Sequence, residues 1–500
     1  MTHPFIRQTQ PFDLLGFERI VGARPIQVLK QLAREVRLEF HRGNQPVTVW
    51  HINSSAIGGG VADILNHMTP LSNQIGITSH WFVIGGDPNF FQVTKSFHNA
   101  MQGSPDVSIE PEMFAHYNAI MQRNGELLDH LFVEQELSSP DVIMIHDPQP
   151  AALIPHLQQR FPDSIVVWRG HIHFDFQGSD VLHPGWRVWQ FLLGYINQCD
   201  GAIFHLPEMI PPGINIPTRC VLPSINPLAL INRDLNHAAA MPFVDGTLLK
   251  YGLERFQDRS VPMLLQNGRF DPWKDPIGVI EAVREARKLL ATQSKLPELV
   301  LVGPLAGDDP EAGAVLGELR QLLNGDGAVH LIPIDPKHNV LTAGQWDSLH
   351  GIGLGGDKLN PENVMELEIN ALQTRADIII AKSLREGFGL AVTGAGYHAK
   401  SRIVSQVGGL AHQVAGSNGN LLAALVGGAP DFSRQVSIEM TRDWIVKLLT
   451  TPELRRTMGV NANQHVIENF LPHRHLSDYL KIFLRLRRYK HSEKIRLVGC

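Results

Sequence analysis

The sequence predicts an α/β protein built from two Rossmann-like domains. Short β-branched apolar runs alternate with segments of helical period, which is typical of βαβ units and parallel sheets. The alternation occurs twice, in two series separated by a proline-dense passage. The chain has 500 residues, 43% of them hydrophobic and 19% charged. It is therefore long enough to bury large cores in two or three domains.

The first series contains candidate strands that are too continuously apolar to leave one face in solvent. A helix is predicted directly after the first strand, because Val61, Ile64, Leu65 and Met68 recur at helical spacing. The apolar runs are VTVWHI (47–52), HWFVIG (80–85), VIMIH (142–146), IVVWRGHI (165–172) and GAIFHL (201–206).

The passage over 207–245 is rich in proline and poor in periodicity, which is typical of a crossing between domains. We expect an N-terminal domain over 1–240, a C-terminal domain over 241–469, and a terminal helix at about 470–490 that packs back on the first. The basic end of this helix fits a solvated helix terminus or a membrane surface. The second series comprises VPMLLQNGRF (261–270), ELVLVGP (298–304), VHLIPI (329–334), DIIIAKS (377–383) and RIVSQVG (402–408).

Composition and missing motifs exclude several classes of protein. A formal charge of −5 lacks the basic excess of a dedicated nucleic-acid binder. Three cysteines without a CxxC pair give neither a disulfide framework nor a structural zinc site. The sequence shows no signal peptide, no apolar run of about 18 residues, and no Walker, HExxH or GxSxG motif. We expect a cytoplasmic protein without a membrane span or a nucleic-acid partner.

A glycine triplet, Gly58, Gly59 and Gly60, lies between the first strand and the first helix, in HINSSAIGGGVADIL. Glycines there let backbone N–H groups approach a ligand closely, and a helix N-terminus favours an anion. An ordinary tight βα turn has the same pattern. The triplet alone leaves both interpretations open.

Two basic residues, Arg269 and Lys274, follow the first strand of the second series in NGRFDPWKD. They flank a turn that contains Asp271 and Pro272. An arginine fork and a lysine point charge in this arrangement can hold two phosphate groups. Two exposed basic side chains would give the same pattern.

An acid between a strand and a helix is the third informative feature. Glu386 follows the apolar run DIIIAKS and opens a glycine-rich segment, EGFG, before a predicted helix. A carboxylate beside exposed N–H groups suits sugar hydroxyls, which both donate and accept hydrogen bonds. A capping acid in a turn is the alternative.

Polar side chains also follow two strands of the first series. In WRGHIHFDF, alternation would place Arg169, His171 and His173 on one face at a strand end. HDPQPAALI presents Asp147 and Gln149 after the preceding strand. Open α/β sheets bind ligands at the carboxyl ends of their strands. A metal site at His171 and His173 lacks a third ligand at a telling spacing.

Together these segments resemble the retaining GT-B glycosyltransferases, and most closely the trehalose synthase (glycosyltransferring) family, which joins a nucleotide-activated glucose to free glucose. The GT-B fold has two Rossmann-like domains with an active-site cleft between them. The matching segments occur in the family's order over roughly residues 47–415. They are NSSAIGGGVADIL, FFQVTKSFHNAMQG (90–103), HDPQPAALI, WRGHI, FHLPE (204–208), LPSINPL (222–228), GRFDPWK (268–274) and REGFGLAVT (385–393).

The resemblance implies roles for these motifs. His171 matches the family histidine beside the anomeric carbon, and with Arg269, Lys274 and Glu386 it forms the expected catalytic set. Catalysis would be mainly positioning and electrostatics, without an obligatory protein nucleophile, a metal or a cofactor. The expected donor ligands are Gly58, Gly59, Gly60, Arg269 and Lys274 for the diphosphate, with Gly387, Phe388 and Gly389 beside Glu386 for the sugar; the expected acceptor ligands are Asp147, Gln149 and Arg169.

The sequence departs from the family at several positions. The family has two glutamates separated by seven residues, and here the second position is Gly394. That acid normally accepts hydrogen bonds from the nucleotide ribose, and losing a charged hydrogen bond costs about 1.5–3 kcal/mol. His173 and Asn226 stand where the family has aspartates. An insertion at 335–368 lengthens the loop before the strand at 377–383, where it would reshape a pocket or an oligomer contact.

The sequence thus predicts an enzyme, a hexosyltransferase that moves glucose with retention from a nucleoside diphosphate donor to a sugar acceptor, giving trehalose or a related α-glucoside. The first alternative is a trehalose phosphorylase-like enzyme, with inorganic phosphate in the site of Arg269 and Lys274. The second is a catalytically silent homologue that binds a sugar or a nucleotide. The nucleotide base, the acceptor and a homodimeric state stay open.

Overall fold

The computed structural model describes residues 2–40, 46–57, 59–104, 106–175, 183–305, 311–354, 359–414, 421–428 and 433–498, with the backbone alone for 311 and 492–498. The chain divides into a first unit, Met1–Ser224 with Leu471–Cys500, and a second unit, Ile225–Phe470. Residues 225–240, expected in the N-terminal domain, therefore belong to the second unit. The side chain of Asn370 holds them there, since its Nδ2 donates to the carbonyls of Leu230 and Arg233 at 2.7 and 2.8 Å.

The sheet of the first unit comprises β1 (Phe5–Ile6), β2 (Val47–Asn53), β3 (Ile77–Val83), β4 (Val142–His146), β5 (Ile165–Arg169), β6 (Gly201–Phe204) and β7 (Thr218–Cys220). Their order is β1-β3-β2-β4-β5-β6-β7. β1 is antiparallel to β3, whereas the other neighbouring pairs are parallel. β2, β4, β5 and β6 are buried along their whole length, which confirms what their continuous apolar runs predicted.

Several helices that precede the domain crossing pack on this sheet: the third contacts β3, and the fourth to the seventh share a core with the strands. The second packs on the last helix of the chain. Ile64, Leu65 and Met68, in the third of these helices, are buried, which confirms the predicted helical spacing. The helices are α1 (Leu14–Val21), α2 (Ala23–Glu39), α3 (Gly60–Gln74), α4 (Pro88–Met101), α5 (Pro111–Glu134), α6 (Ile154–Arg160) and α7 (Pro184–Ile196).

The second unit has a parallel sheet of its own, formed by β8 (Met263–Asn267), β9 (Glu298–Pro304), β10 (Val329–Ile334), β11 (Ile378–Ala381), β12 (Ser401–Ser405) and β13 (Ala424–Val426). Their order is β10-β9-β8-β11-β12-β13, and each described pair is parallel. The α/β fold with two Rossmann-like sheets is therefore confirmed, and the cleft expected from the resemblance stays a prediction.

The helices of the second unit are α8 (Met241–Lys250), α9 (Pro276–Leu289), α10 (Glu311–Leu323), α11 (Ala343–Asp347), α12 (Pro361–Arg375), α13 (Leu390–Tyr397), α14 (Gly408–Val414), α15 (Arg434–Thr450) and α16 (Pro452–Asn469). The insertion at 335–368 contains α11 and the start of α12. Buried Glu368 anchors it by accepting from Gln345 of α11 at 2.8 Å and from Lys250 of α8 at 2.6 Å. The insertion thus packs on helices of its own unit.

The last helix, α17 (Pro472–Val498), belongs to the first unit. Leu476, Leu480, Phe483 and Leu484 are buried, as their spacing predicted. Among the described residues, we find no helix that is both long and apolar enough to span a bilayer.

The basic end of α17 pairs with neighbouring parts of the first unit. Arg488 Nε lies 2.9 Å from a carboxylate oxygen of Glu39 in α2, and Lys490 Nζ lies 3.0 Å from one of Asp200. These contacts favour the helix-terminus interpretation over a membrane-surface patch.

In each sheet the order in which the chain adds strands reverses at one point. In the first unit the chain passes from β2 to β3 on one side and then to β4 on the other; in the second it passes from β8 to β9 and later to β11. Open α/β sheets bind ligands outside the carboxyl ends of the strands at such a switch point. The segments after β2, β4, β8 and β11 are therefore where ligands are expected.

Candidate active site

The loop after β8 places Lys274 on one short turn of 3-10 helix, Pro272–Lys274. Asp271 caps this turn by accepting from the backbone N–H of Trp273 at 2.9 Å. The carbonyl of Lys274 accepts from the side chain of Gln266 in β8 at 2.7 Å. These local bonds fix the backbone of Lys274 against the strand.

The loop after β11 brings Glu386 to the same place. The backbone N–H of Leu384 donates to the carbonyl of Trp273 at 2.7 Å, so the two loops are joined directly. Buried Lys382, next to β11, pairs with Asp275, the cap of α9. This pair links the two loops a second time.

Gly389 is the N-cap of α13 and has the left-handed conformation, with φ +88°. A Cβ at this position would lie 2.5 Å from Leu410 Cδ2, so both the conformation and the packing require glycine. Phe388 is buried, and its ring lies 5.6 Å from that of Phe470. Phe388, expected as a donor ligand, therefore has its side chain in the core, and its carbonyl accepts from Gln413 at 2.6 Å.

The two loops form an ion pair between Lys274 and Glu386. Both side chains keep part of their surface in solvent, 27% for Lys274 and 16% for Glu386. Ser383 Oγ donates to Glu386 Oε2 at 3.3 Å. Arg269 lies close by, with Nη2 3.8 Å from Asp271 Oδ2. Arg269 and Lys274 line a pocket together with Gly268 and residues of β8 and β9, so the structure brings the predicted cations and the predicted acid together.

The glycine triplet is described in part, because Gly58 lies outside the described residues. Gly59 is the N-cap of α3, with extended φ −149° and ψ 157°, and Gly60 is the first residue of the helix. Both are exposed, and a Cβ at Gly59 would meet no atom within 4 Å among the described residues. The start of α3 is therefore open.

Asp147 and Gln149 follow β4, at the switch point of the first sheet. Asp147 has φ +65°, and its carboxylate accepts from the backbone N–H of His171 at 2.7 Å. Burial raises the pKa of Asp147 to about 7, although the hydrogen bond from His171 acts in the opposite direction. Gln149 Oε1 is buried without a hydrogen-bond partner in the described part of the chain, so it can accept from a ligand hydroxyl.

Arg169 is not available as an acceptor ligand, contrary to the expectation from the sequence. Its side chain is fully buried and donates to the carbonyls of Phe204 and Val221 at 2.9 and 2.6 Å. β5 ends at Arg169, so alternation does not extend to His171 and His173. This burial could have been predicted, because Arg169 stands in an otherwise apolar run that predicts a buried strand. A buried guanidinium needs hydrogen-bond acceptors within the protein.

His171 is a member of a buried group of histidines that sequence reasoning missed. His51 lies in β2, His146 ends β4 and His205 follows β6. Ring nitrogens of neighbouring histidines in this group lie 2.9–3.3 Å apart. Burial lowers the pKa of His51 to about 3 and the pKa of His171 well below its ordinary value. The signal was a histidine as the last or second-last residue of each of these apolar runs.

Gly394 stands at the position of the family's second glutamate, and the space beside it is filled by Asn232 of the same unit. A Cβ on Gly394 would lie 2.9 Å from Asn232 Oδ1. Asn232 is held there by donating to the carbonyl of Asn226 at 2.9 Å, and Asn226 caps its own turn by accepting from Leu228 N at 3.0 Å. Two of the departures from the family, Asn226 and Gly394, are therefore parts of one packing arrangement.

The chain is similar to known proteins over nearly all of its length. The family model described as trehalose synthase, N-terminal domain, matches residues 51–211. The trehalose synthase of Pyrococcus horikoshii is 33% identical over 473 residues, 94% of this chain and 95% of that protein. A trehalose phosphorylase of Pleurotus pulmonarius is 26% identical over 80% of this chain and 52% of that protein.

A solved structure shows the same fold. The α,α-trehalose-phosphate synthase (UDP-forming) of Burkholderia xenovorans, in complex with glucose-6-phosphate, has a TM-score of 0.61 at 14% identity, over 88% of this chain and 100% of that one. The fold is therefore that of the GT-B glycosyltransferases. With the identity and coverage given above, the chain belongs to the trehalose synthase family, as its motifs predicted, and it is a glycosyltransferase.

Proposed function

We propose that this enzyme transfers glucose from a nucleoside diphosphate to a sugar acceptor with retention, forming trehalose or a related α-glucoside. Trehalose is named in the relatives that match most of the chain, which supports trehalose-related glucosyl transfer. The observation that carries the donor assignment is the joining of the loops after β8 and β11, which places Arg269 and Lys274 beside Glu386.

In the proposed reaction the second unit supplies electrostatic stabilisation. Arg269 and Lys274 hold the diphosphate and balance the negative charge that develops as its bond to C1 of glucose breaks. The acceptor oxygen forms its bond to C1 on the same face, and its proton passes to the leaving phosphate oxygen. Glu386 accepts hydrogen bonds from hydroxyls of the transferred sugar. No side chain forms a covalent bond in this sequence.

The ion pair between Lys274 and Glu386 gives donor binding a defined consequence. A diphosphate that engages Lys274 replaces one anionic partner of the ammonium by another. Glu386 is then free to accept from the sugar, so one event binds the phosphate and prepares the sugar contact. The backbone around Lys274 is already fixed by Gln266 and Asp271, which limits the ordering that binding requires.

On the acceptor side, the proposal uses Asp147 and Gln149 of the first unit and places the ring of His171 beside the reacting carbon. Both ring nitrogens of His171 contact other histidines, so in this proposal the ring gives the substrate no hydrogen bond. The start of α3 at Gly59 and Gly60 contributes to the site of the donor phosphates. The buried, unpartnered Oε1 of Gln149 supports an acceptor hydroxyl at that residue. Arg169 is left out, because its side chain is fully buried and both of its Nη atoms donate to carbonyls within the unit.

The experiment is an assay of the purified chain with glucose and, in turn, UDP-, ADP- and GDP-glucose. We expect release of nucleoside diphosphate in proportion to trehalose, and an α-configured product in the proton NMR spectrum. If no nucleotide donor supports transfer or hydrolysis, the proposal is wrong.

A trehalose phosphorylase-like reaction is the second candidate. It is favoured by Gly394, because Asn232 fills the place of the acid that would hold the ribose, and a phosphate substrate needs no such acid. The phosphorylase relative covers most of this chain. Release of glucose 1-phosphate from trehalose and inorganic phosphate, without activity on any nucleotide donor, would establish this reaction.

A silent binding homologue is the third candidate. Calorimetric binding of sugars or nucleotides without turnover in either assay would support it. The joint presence of Arg269, Lys274, Glu386 and His171 speaks for an enzyme.

A further inference from the structure

A row of histidines crosses the carboxyl edge of the first unit's sheet, and the proposed reaction uses one of them. His51 lies in β2, His146 ends β4, His171 follows β5 and His205 follows β6. These strands are consecutive neighbours in the sheet. The four residues are 3, 1, 8 and 4% exposed.

The ring nitrogens meet pairwise along this histidine row. His51 Nδ1 lies 3.0 Å from His146 Nε2, and His146 Nδ1 lies 2.9 Å from His171 Nε2. His171 Nδ1 lies 3.3 Å from His205 Nε2. In the described part of the chain, no group of three His, Cys, Asp or Glu side chains can hold a metal ion. Separations of this size between ring nitrogens are those of hydrogen bonds, so the rings bond to one another.

The surroundings of His51, His146 and His171 oppose a positive charge and so favour neutral rings. Burial lowers the pKa of His51, His146 and His171, and the neighbouring guanidinium of Arg169 lowers the pKa of His146 and His171 further. A neutral imidazole has one N–H donor and one acceptor nitrogen. Each contact in the row therefore needs one proton, supplied by one of its two rings.

The geometry couples these protons. His146 and His171 use both of their ring nitrogens within the row, so each must donate to one neighbour and accept from the other. All the bonds then run in the same direction along the row. In one arrangement His51, His146 and His171 are protonated on Nδ1; in the other, His146, His171 and His205 are protonated on Nε2. Reversing one bond requires reversing all of them.

We propose that His51, His146 and His205 are positioning residues that act as one unit to fix the tautomer and the ring orientation of His171. His146 and His205 hold the two nitrogens of the His171 ring, and His51 sets the direction of the bonds through His146. The consequence for glucosyl transfer rests on the proposed function, whereas the coupling of the tautomers does not.

The first test is the nitrogen-15 NMR spectrum of the intact chain labelled in its histidines, with signals assigned by substitution. We expect His146 and His171 each to show one protonated and one unprotonated nitrogen, with the proton on the same nitrogen type in both. Opposite types in the two residues, or a charged imidazolium at either, would overturn the proposal. This spectrum needs no activity, so it decides the coupling even if the enzyme proves to be a phosphorylase or silent.

The second test is His51→Phe, which keeps a buried aromatic ring but removes one end of the row. The direction of the bonds is then no longer set from that end, so the nitrogen signals of His171 should shift toward the average of the two tautomers. His205→Phe tests the other end if the first variant does not fold. Unchanged His171 signals in a folded variant of either kind would contradict the proposal.

His67→Phe is the matched control. His67 is as buried as His51, and its Nε2 lies 3.0 Å from Ser224 Oγ, outside the row. This variant should leave the His171 signals unchanged. In an active enzyme, we expect His51→Phe to lower kcat with little change in the donor KM. Because kcat is calculated per measured active site, a general loss of folded protein would leave it unchanged.

Discussion

The carboxyl edges of the two sheets carry opposite kinds of polar groups, although both lie at a switch point of a parallel sheet. In the first unit the edge consists of buried histidines that hydrogen-bond one another. In the second it consists of ion pairs, Lys274 with Glu386 and Lys382 with Asp275. Apart from Arg169, whose side chain is fully buried at the end of β5, and Asp147, whose pKa burial raises to about 7, the same scaffold thus presents neutral groups on one unit and charged groups on the other.

This difference matches the chemistry of the proposed substrates. A diphosphate is an anion, and it binds where paired cations can exchange a carboxylate for a phosphate. A sugar acceptor is neutral, and it is best met by uncharged donors and acceptors, since a buried unpaired charge is costly. The comparison supports the proposal in which cations of the second unit hold the donor phosphates and the first unit binds the acceptor.

The largest effect is expected for Lys274→Ala. Removing a preorganised cation from the developing charge of the leaving group should lower turnover about 100- to 1,000-fold, with an unchanged thermal transition. Lys295→Ala is the control, because Lys295 also pairs with an acid of the second unit, Asp258, but at an exposed site. If Lys274→Ala retains wild-type rates in a steady-state assay, the donor assignment is wrong.

Acid should destabilise the first unit before the second. Burial lowers the pKa of His51 to about 3 and of His67 to about 4, so between these values and about 6.5 the unfolded chain binds more protons than the folded one. Stability therefore falls as the pH drops below about 6.5, by up to about 1.4 kcal/mol per pH unit for each histidine. Burial also lowers the pKa of His146 and His171 in the first unit, whereas in the second unit it lowers the pKa of His398 to about 4. Among the described residues, the first unit therefore has more buried histidines that resist protonation.

Hydrogen exchange measured by mass spectrometry at pH 7 and 5 separates the two units. We expect peptides of β2 and β4 to lose more protection on acidification than peptides of β8 and β9, after correction for the intrinsic exchange rate. His67→Phe should reduce this loss. An equal loss in both units would contradict the comparison.

The central strands, and the motifs whose residues share one loop, could be predicted from the sequence. Continuous apolar runs identified β4 and β9 with their observed bounds, because burial on both faces leaves a strong pattern. The run VHLIPI also identified β10 with its observed bounds, although β10 is a partly buried edge strand. The edge strands β7 and β13 were missed, since three residues carry too little pattern to distinguish a strand from a loop.

The sequence was insufficient where the outcome depends on strand order. His51, His146, His171 and His205 are far apart in the chain and become neighbours because β2, β4, β5 and β6 are adjacent in the sheet. Arg169 was assigned to the acceptor because its residue type fits a ligand, whereas its side chain is buried and carbonyls of later segments accept from both of its Nη atoms. The pairing of Lys274 with Glu386 likewise required the neighbouring positions of β8 and β11.

A smaller effect is expected at Gly394, where a substitution tests whether Asn232 occupies the space at the position of the family's second glutamate. Gly394→Ala places a Cβ against Asn232 Oδ1, and such overpacking costs about 1–3 kcal/mol of unfolding free energy. In an Asn232→Ala background the same change should cost much less, because the opposing oxygen is gone. Urea unfolding of the two single variants and the double variant measures this coupling. Additive effects would show that Asn232 does not fill the site.

The smallest effect is expected for Glu386→Gln, which keeps the shape of the side chain but removes its charge. Lys274 loses its anionic partner, so a nucleoside diphosphate should bind about fivefold more tightly, corresponding to about 1 kcal/mol for a partly exposed pair. Transfer should nevertheless become slower, because the sugar loses its carboxylate contact. Titration calorimetry and steady-state kinetics together check both signs, and weaker diphosphate binding would argue against competition for Lys274.

A crystal structure of the chain with a bound nucleoside diphosphate tests the donor assignment most directly. We predict phosphate oxygens about 3 Å from the side-chain nitrogens of both Arg269 and Lys274, with Lys274 released from Glu386. A diphosphate bound elsewhere, with Lys274 still paired to Glu386, would contradict the account.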